Sequence, residues 1–448
     1  MSHFATTLPA PGAYPATRPA RPVVAADPNQ LLKRGIWAYL LLLIFEGALR
    51  RWVLPGLATP LLIVRDPLAL WLIAMTWRRG LLPANPYMTT TVIVSVLGII
   101  SALLLGHGNL TVAIYGGRIL LLHFPMIFVI GRVFNRADVV KMGAALVWMT
   151  APMALLIAVQ FYSPQSAWVN RGVGGDMAGA GFDGAMGFFR PPATFSFTNG
   201  THLFFGMAAC FIFYFWLHPK GINRLALIAA TVGLLSAIPF SISRSLLLFT
   251  AVALLFTALG MLRHPKNIGR LLLLGMGGVC VLLLLSRVSV LQTPIEAFVS
   301  RFTAASDVEG GLKGSLGNRY LGGMLEALAN SGQQPFFGYG IGMGTNAGSA
   351  ILTGGGRAFL ISEGEWGRLI GELGPWLGLC IIFVRMALCV KLTVACYQRL
   401  RQNDILPWIL LGNGLLMIPQ SQWAQPTALG FSTLIAGLII AALRPAHS

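Results

Sequence analysis

The sequence predicts an all-α, polytopic membrane protein, and three observations carry that reading. The chain is 56% hydrophobic and only 10% charged over 448 residues. Apolar runs near the roughly 20 residues that a helix needs to cross a bilayer recur along it. Between those runs, most lysines and arginines fall in connections on one side, as the positive-inside rule requires. In a soluble domain a net charge of +18 would suggest a nucleic acid; sorted by side of a membrane it does not, and no nucleic-acid partner is expected.

Residues 1–34, rich in Pro and Ala, lack the charged-then-apolar pattern of a cleaved signal peptide and are expected to form a disordered cytoplasmic tail. About 12 spans follow, at 35–52, 57–77, 88–105, 111–131, 139–161, 200–217, 224–241, 244–262, 269–286, 366–390, 405–420 and 427–443. Helices 1–9 thus occupy 35–286 and helices 10–12 occupy 366–448. With the N-terminus inside, Lys33/Arg34, Arg78/Arg79, Arg132/Arg136/Lys141, Lys220/Arg224, Arg263/Lys266/Arg270, Lys391/Arg399/Arg401 and Arg444 all lie on the inner side. Both termini are then cytoplasmic, and two sizeable segments, about 162–199 and 287–365, lie outside. No internal repeat with matching broken spans is visible, which weighs against the common transporter plans. The five cysteines, Cys210, Cys280, Cys380, Cys389 and Cys396, show neither disulfide nor metal-ligand spacing, and no metal or cofactor is expected.

Cations that the rule leaves unexplained point to the site. Arg50, Arg51, Arg65, Arg118, Arg190, Arg244, Arg319 and Arg368 sit in the outer half of spans or in the outer segments. An intramembrane Arg costs at least about 2.5–3.5 kcal/mol on insertion scales, so it faces a partner, a polar cavity or a ligand. Glu46 and Arg50 are one helical turn apart, and Arg65 adjoins Asp66, so these are either neutralised internally or left to a ligand. Arg118, with His123 five residues deeper, has no acid nearby in sequence, so other helices or a ligand must supply one. Arg385, toward the inner end of its span, is expected to snorkel to the inner interface.

Arg190 opens RPPATFSFTNGTHLFFG, whose prolines set an extended approach and in which Thr198, Asn199 or Thr201 caps the next helix. Arg190 and His202 then meet at a helix mouth; His202 is either a phosphate or sugar contact or a plain interfacial residue. The preceding GVGGDMAGAGFDGAMG reads as a flexible loop. In SISRSLLL, Arg244 stands among Ser241, Ser243 and Ser245 where a helix begins, an anion-binding corner or an arginine meeting lipid phosphates. LGNRYLGGMLEALAN has apolar residues at helical spacing and reads as an amphipathic surface helix carrying Arg319. PFFGYGIGMGTN places Gly338, Gly340, Gly342 and Gly344 at alternate positions, so its backbone can approach a phosphate or a neighbouring helix closely. Finally, ISEGEWGRLIGELGPWLG sets Glu365, Arg368 and Glu372 on one helical face. They form either a self-paired helix start or, with Glu363, a general base (Glu363 or Glu365) beside a phosphate-binding Arg368.

In this order, SRSLLL, NRYLGGMLEAL…QPFFGYGIGMG and EGEWGRLIGELGPWLG resemble the O-antigen ligase and polymerase superfamily over about residues 190–385, and RRWVLPGLATPLLIVRDPLAL is similar to a segment of its exopolysaccharide polymerases. The resemblance implies a GT-C-like, metal-independent membrane glycosyltransferase acting on undecaprenyl-pyrophosphate-linked glycans at the periplasmic face of a bacterial inner membrane. It also implies that Arg190, Arg244 and Arg319 bind the pyrophosphate, with Arg368 beside them. Glu363 stands where the family's ligases carry a histidine, which shifts the expectation from ligation to Wzy-type polymerisation. A ligase of the same family and a flippase or transporter for an anionic or lipid-linked solute are the alternatives. Arg118, His202 and Arg65 are further candidate substrate contacts. The expected partners are the lipid-linked oligosaccharide, the bilayer, and chain-length-regulating or export proteins.

Overall fold

The computed structural model describes residues 27–82, 84–263, 268–309, 322–354 and 360–444. Within them the chain is mostly helical. In order come α1 (Gln30–Ala48), α2 (Ala58–Leu61), α3 (Arg65–Arg78), α4 (Pro86–Leu104), α5 (Leu110–Arg118), α6 (Phe124–Val133) and α7 (Arg136–Tyr162). A hairpin of β1 (Phe182–Ala185) and β2 (Phe188–Arg190) precedes α8 (Asn199–Leu217), α9 (Arg224–Phe240), α10 (Arg244–Leu262), α11 (Ile268–Ser286) and α12 (Ser289–Glu309). Then follow α13 (Gly323–Ala329), α14 (Asn346–Thr353), α15 (Glu365–Arg401), α16 (Leu406–Met417) and α17 (Pro426–Ala442).

All twelve predicted runs are helical, yet fewer than twelve qualify as spans on their own. Among the described residues seven stretches are long and apolar enough to cross a membrane, or eight if the bent pair Gly275–Ser286 and Ser289–Thr303 counts as one. The other helices fall short for physical reasons: α9, α16 and α17 are brief, and α1 carries Lys33, Arg34 and Glu46. Length and composition define a multi-pass, all-α membrane protein.

Burial separates the bundle's centre from its rim. The apolar window of α8 is 78% buried and that of Leu110–Val133 72%, so these helices stand inside; Pro55–Arg78, at 17%, presents its leucines and tryptophans outward. Helix α17 is buried on nearly every side and packs on α6, α8 and α16.

Three expectations need correction here. The tail was expected to reach residue 34, but α1 begins at Gln30: Lys33 lies between Asp27 (2.6 Å) and Asp138 (2.7 Å), which ties the first turn to α7. Residues 1–26 of that tail lie outside the described residues. The glycine-rich stretch expected as a flexible loop ends instead in the β1–β2 hairpin, closed by Met186 and Gly187, both at positive φ as a tight two-residue turn requires. And no threonine or asparagine caps α8 through its side chain: Thr201 Oγ1 donates to the Pro191 carbonyl (3.0 Å) and Asn199 turns toward Gln425.

The segment between the hairpin and α8 is buried yet irregular, so its carbonyls need donors from elsewhere. Arg51 supplies two, reaching the carbonyls of Ala193 (2.9 Å) and Phe195 (3.0 Å), and also binds those of Val169 (3.1 Å) and Arg171 (2.6 Å) ahead of the hairpin. Gln160 adds both of its polar ends, donating to Ala193 O and accepting from Ala193 N. This clamp fixes the direction from which Arg190 approaches α8.

Candidate functional site

Among the described residues, two buried charge networks, the Arg51 clamp and one cavity take up the unexplained cations. The first network joins α1, α3, α5 and α6. Arg50 pairs with Glu46 at 3.4 Å, as their spacing predicts. Arg65 does not pair with Asp66, because neighbouring residues on a helix point apart. It reaches Glu46 (3.2 Å) and the Pro426 carbonyl (2.6 Å) instead. Asp66 takes Arg118 through both oxygens (2.9 and 2.8 Å) and also His123 Nε2 (2.9 Å), while the Tyr39 hydroxyl donates to His123 Nδ1 at 2.9 Å. The partner that Arg118 lacked in sequence is therefore Asp66. Two π-helical turns, Leu49–Val53 and Ile119–His123, carry Arg50 and His123 into this cluster. Arg65 and Arg118 are buried here and are absent from the lining of the cavity described next.

The second network sits under the start of α15. This helix was expected as one straight span; it breaks at Gly374, with φ 76° and ψ 170°, ahead of Pro375. The break folds residues 365–373 back on the rest, for Arg385 Nη1 meets Glu365 Oε1 at 2.8 Å although a straight helix would hold residues twenty apart about 30 Å from each other. Arg385 consequently does not snorkel. It is fully buried against Trp423, 4.0 Å from the ring centre. Arg368 donates to both Glu365 (3.0 and 2.8 Å) and Glu372 (2.5 Å), the acid–base–acid face that the spacing predicts. Glu365 also accepts from Trp423 N at 3.0 Å, so both of its oxygens are engaged.

The four alternate glycines serve this fold-back. Tyr339 N and Gly340 N donate to the carbonyls of Gly371 (2.8 Å) and Glu372 (3.0 Å), and Gly344 N donates to the Glu372 carboxylate (2.8 Å). At Gly342, with φ 94°, an added Cβ would lie 2.1 Å from the Val112 carbonyl. Of the two uses open to this turn, close approach to neighbouring helices is the one the structure displays.

Where α8, α10, α15 and α17 begin, a cavity of about 710 Å³ opens at one end of the bundle. That lies within the roughly 300–1,000 Å³ of small-molecule sites. Arg190, His202, Arg244, Glu363 and Glu365 all line it, although the sequence scatters them over 176 residues. The cavity adds Arg301, from α12, and Asn199. Arg190 Nε and Arg301 Nη1 both donate to the carbonyl oxygen of Asp183, at 3.2 and 3.4 Å, and Arg301 also reaches the Gly184 carbonyl at 2.6 Å. The hairpin thus sets two guanidinium groups side by side. Ahead of Arg244, Ile242 is buried with φ 45°, a rare conformation for a β-branched residue, and Ser243 Oγ accepts from Leu246 N (3.2 Å) to cap α10. This strained turn aims Arg244. His202 packs edge-on against Phe249, with ring centroids 5.5 Å apart. The opposite chemistry comes from Asn199, Gln420, Ser421, Gln422 and Trp366, uncharged amide, hydroxyl and aromatic groups.

The two acids offered as the base differ sharply. Glu365 is buried between two arginines; Glu363 is exposed, its own carbonyl held by Gln422 Nε2 at 2.8 Å. Arg368 lies beneath the cavity wall, bonded to Glu365 and Glu372. Arg319 and the first part of its amphipathic stretch lie outside the described residues; the described part, with α13, puts Gly323 and Met324 on the cavity. Arg301 was missed from the sequence although it met the criterion that picked the others, a cation in a segment expected outside. Asn199 and Gln422 carried no such signal.

Fold and site together define a multi-pass helical membrane protein with an arginine-bearing cavity at one end of its bundle. No protein-family model matches the chain, and no curated protein is similar to it in sequence.

Proposed function

We propose that the protein is a polysaccharide polymerase joining undecaprenyl-pyrophosphate-linked glycan repeat units at the periplasmic face of a bacterial inner membrane. The observation that carries this is the convergence of Arg190 and Arg301 on one carbonyl, in a cavity shared with Arg244 and Glu363. Guanidinium groups held side by side favour a multivalent anion, and a pyrophosphate offers oxygens to both. The amide and aromatic wall suits a sugar. Twelve crossings with both termini in the cytoplasm would set this cavity outside, where lipid-linked repeat units are displayed.

In the proposed reaction a hydroxyl of the incoming repeat unit attacks the anomeric carbon of the growing chain. Glu363 takes the hydroxyl proton, the new C–O bond forms, and the bond to pyrophosphate breaks with its electron pair passing to the leaving group. Arg190, Arg244 and Arg301 stabilise the charge that develops there. Glu363 in place of a ligase histidine favours polymerisation over ligation.

The test is reconstitution in vesicles with a lipid-linked oligosaccharide donor, scored for polymer length. Arg190→Ala, Arg244→Ala and Arg301→Ala should each lower the rate about 10²–10³-fold, the usual loss for one donor to a developing anion. Glu363→Gln should abolish elongation. Full activity in all four variants, or lipid-linked units stranded on the cytoplasmic face of a deletion strain, would overturn the assignment.

A further inference from the structure

Beside the cavity, with Asn199 and Gln422 on its lining, runs a chain of side-chain amides whose polarity can be worked out from one end. Gln422 Nε2 bonds the main-chain carbonyl of Glu363, at 2.8 Å. A carbonyl only accepts, so this end of Gln422 must be the NH2 group, and its oxygen faces the other way. That oxygen takes Gln425 Nε2, at 2.6 Å, which leaves the Gln425 oxygen to accept from Asn199 Nδ2. Flipping any one amide would set oxygen against oxygen or NH2 against NH2. The run of donors therefore has one direction, from Asn199 through Gln425 and Gln422 to Glu363. It leaves a remainder: Asn199 Oδ1, on a cavity-lining residue, is buried and has no donor among the described residues.

The relay is anchored independently of Glu363. Trp423, between its two glutamines, donates its backbone N–H to Glu365 at 3.0 Å, and the Gln425 carbonyl accepts from Leu429 N at 2.9 Å in the first turn of α17. Glu363, by contrast, is exposed and stands just ahead of α15. The chain thus ties the main chain at Glu363 to two packed helix ends.

Resting on the polymerase reading, we propose that Asn199, Gln425 and Gln422 position Glu363 for proton transfer, and that a sugar hydroxyl of the incoming unit closes the open end of the relay at Asn199 Oδ1. Hydrogen bonds in such a chain polarise one another, so a hydroxyl donating to Asn199 strengthens the hold on Glu363 three links away. The base is then set in place by the arrival of the sugar that it deprotonates.

The experiment uses the full-length protein in vesicles, with kcat and KM measured separately for lipid-linked donor and acceptor. Gln422→Met and Gln425→Met keep side-chain length and remove the amide; each should lower kcat about tenfold, the rate equivalent of one modest hydrogen bond, with the donor KM unchanged. The double variant should be no slower than either single one, because one break severs the relay. Asn199→Asp keeps the acceptor oxygen and should lose only kcat, whereas Asn199→Leu should also raise the acceptor KM. Wild-type kcat in Gln425→Met, which does not touch the Glu363 segment, overturns the proposal, as do multiplying losses in the double variant. If Glu363→Gln is inactive while the glutamine variants are normal, the relay alone falls; if Glu363→Gln is fully active, the polymerase site falls with it.

Discussion

At the scale of single residues, Glu363 and Glu365 show how two acids two positions apart in sequence come to different work. Glu365 receives Arg368, Arg385 and the Trp423 N–H, and is 3% exposed. Breaking a buried pair by removing one partner costs about 3–5 kcal/mol, since the remaining charges stay buried. Glu365→Gln is therefore expected to lower thermal stability in detergent by that order, whereas Glu363→Gln should leave it unchanged while removing activity. Equal stability of the two variants would contradict the assignment of Glu365 as an anchor. The same reasoning applies to Asp66, which holds Arg118 and His123 together. Asp66→Asn should destabilise, and Asp66→Asn with Arg118→Leu should recover part of the loss, measured as unfolding midpoints across the double-mutant cycle.

Among the elements, the fold-back of α15 decides most. Gly374 has φ 76° with ψ 170°, a region essentially reserved for glycine, and a Cβ there would lie 2.1 Å from the Phe336 carbonyl. Gly374→Ala should cost at least about 1–3 kcal/mol from backbone strain alone. It should also separate Glu365 from Arg385, detectable as a lower unfolding temperature and loss of elongation together. An alanine variant with wild-type stability would show that the break does not depend on this residue. The β1–β2 hairpin is the second deciding element, because its Asp183 carbonyl gathers Arg190 and Arg301. Neither element announced itself in hydropathy: the GELGPW stretch reads as part of a continuous apolar run, and the glycine-rich stretch before Arg190 reads as loop.

Over the whole molecule, the arrangement of side predicts accessibility. In a cysteine-free background, single cysteines at Asp183 and Glu363 should react with a membrane-impermeant maleimide added to intact cells, and one at Lys220 should react only after lysis. The reverse pattern would place the cavity on the cytoplasmic side and remove the proposed donor from its reach. The positions of the helices were legible because a membrane span is a local property: about 20 apolar residues satisfy their own backbone wherever they are packed. The unexplained arginines were legible too, since a cation in an apolar run stands out without any knowledge of its surroundings. The sequence by itself therefore determined an all-α membrane protein with its charge concentrated in particular spans and segments. Only the tertiary structure decided which distant groups pair with which, and which cations line a cavity. Arg118 finds Asp66 52 residues away and Arg385 finds Glu365 across a reversed helix, while Arg190, Arg244 and Arg301 come together from a hairpin and two helices. The physical reason is that charge pairing depends on distance in space, which local patterns of hydrophobicity do not encode.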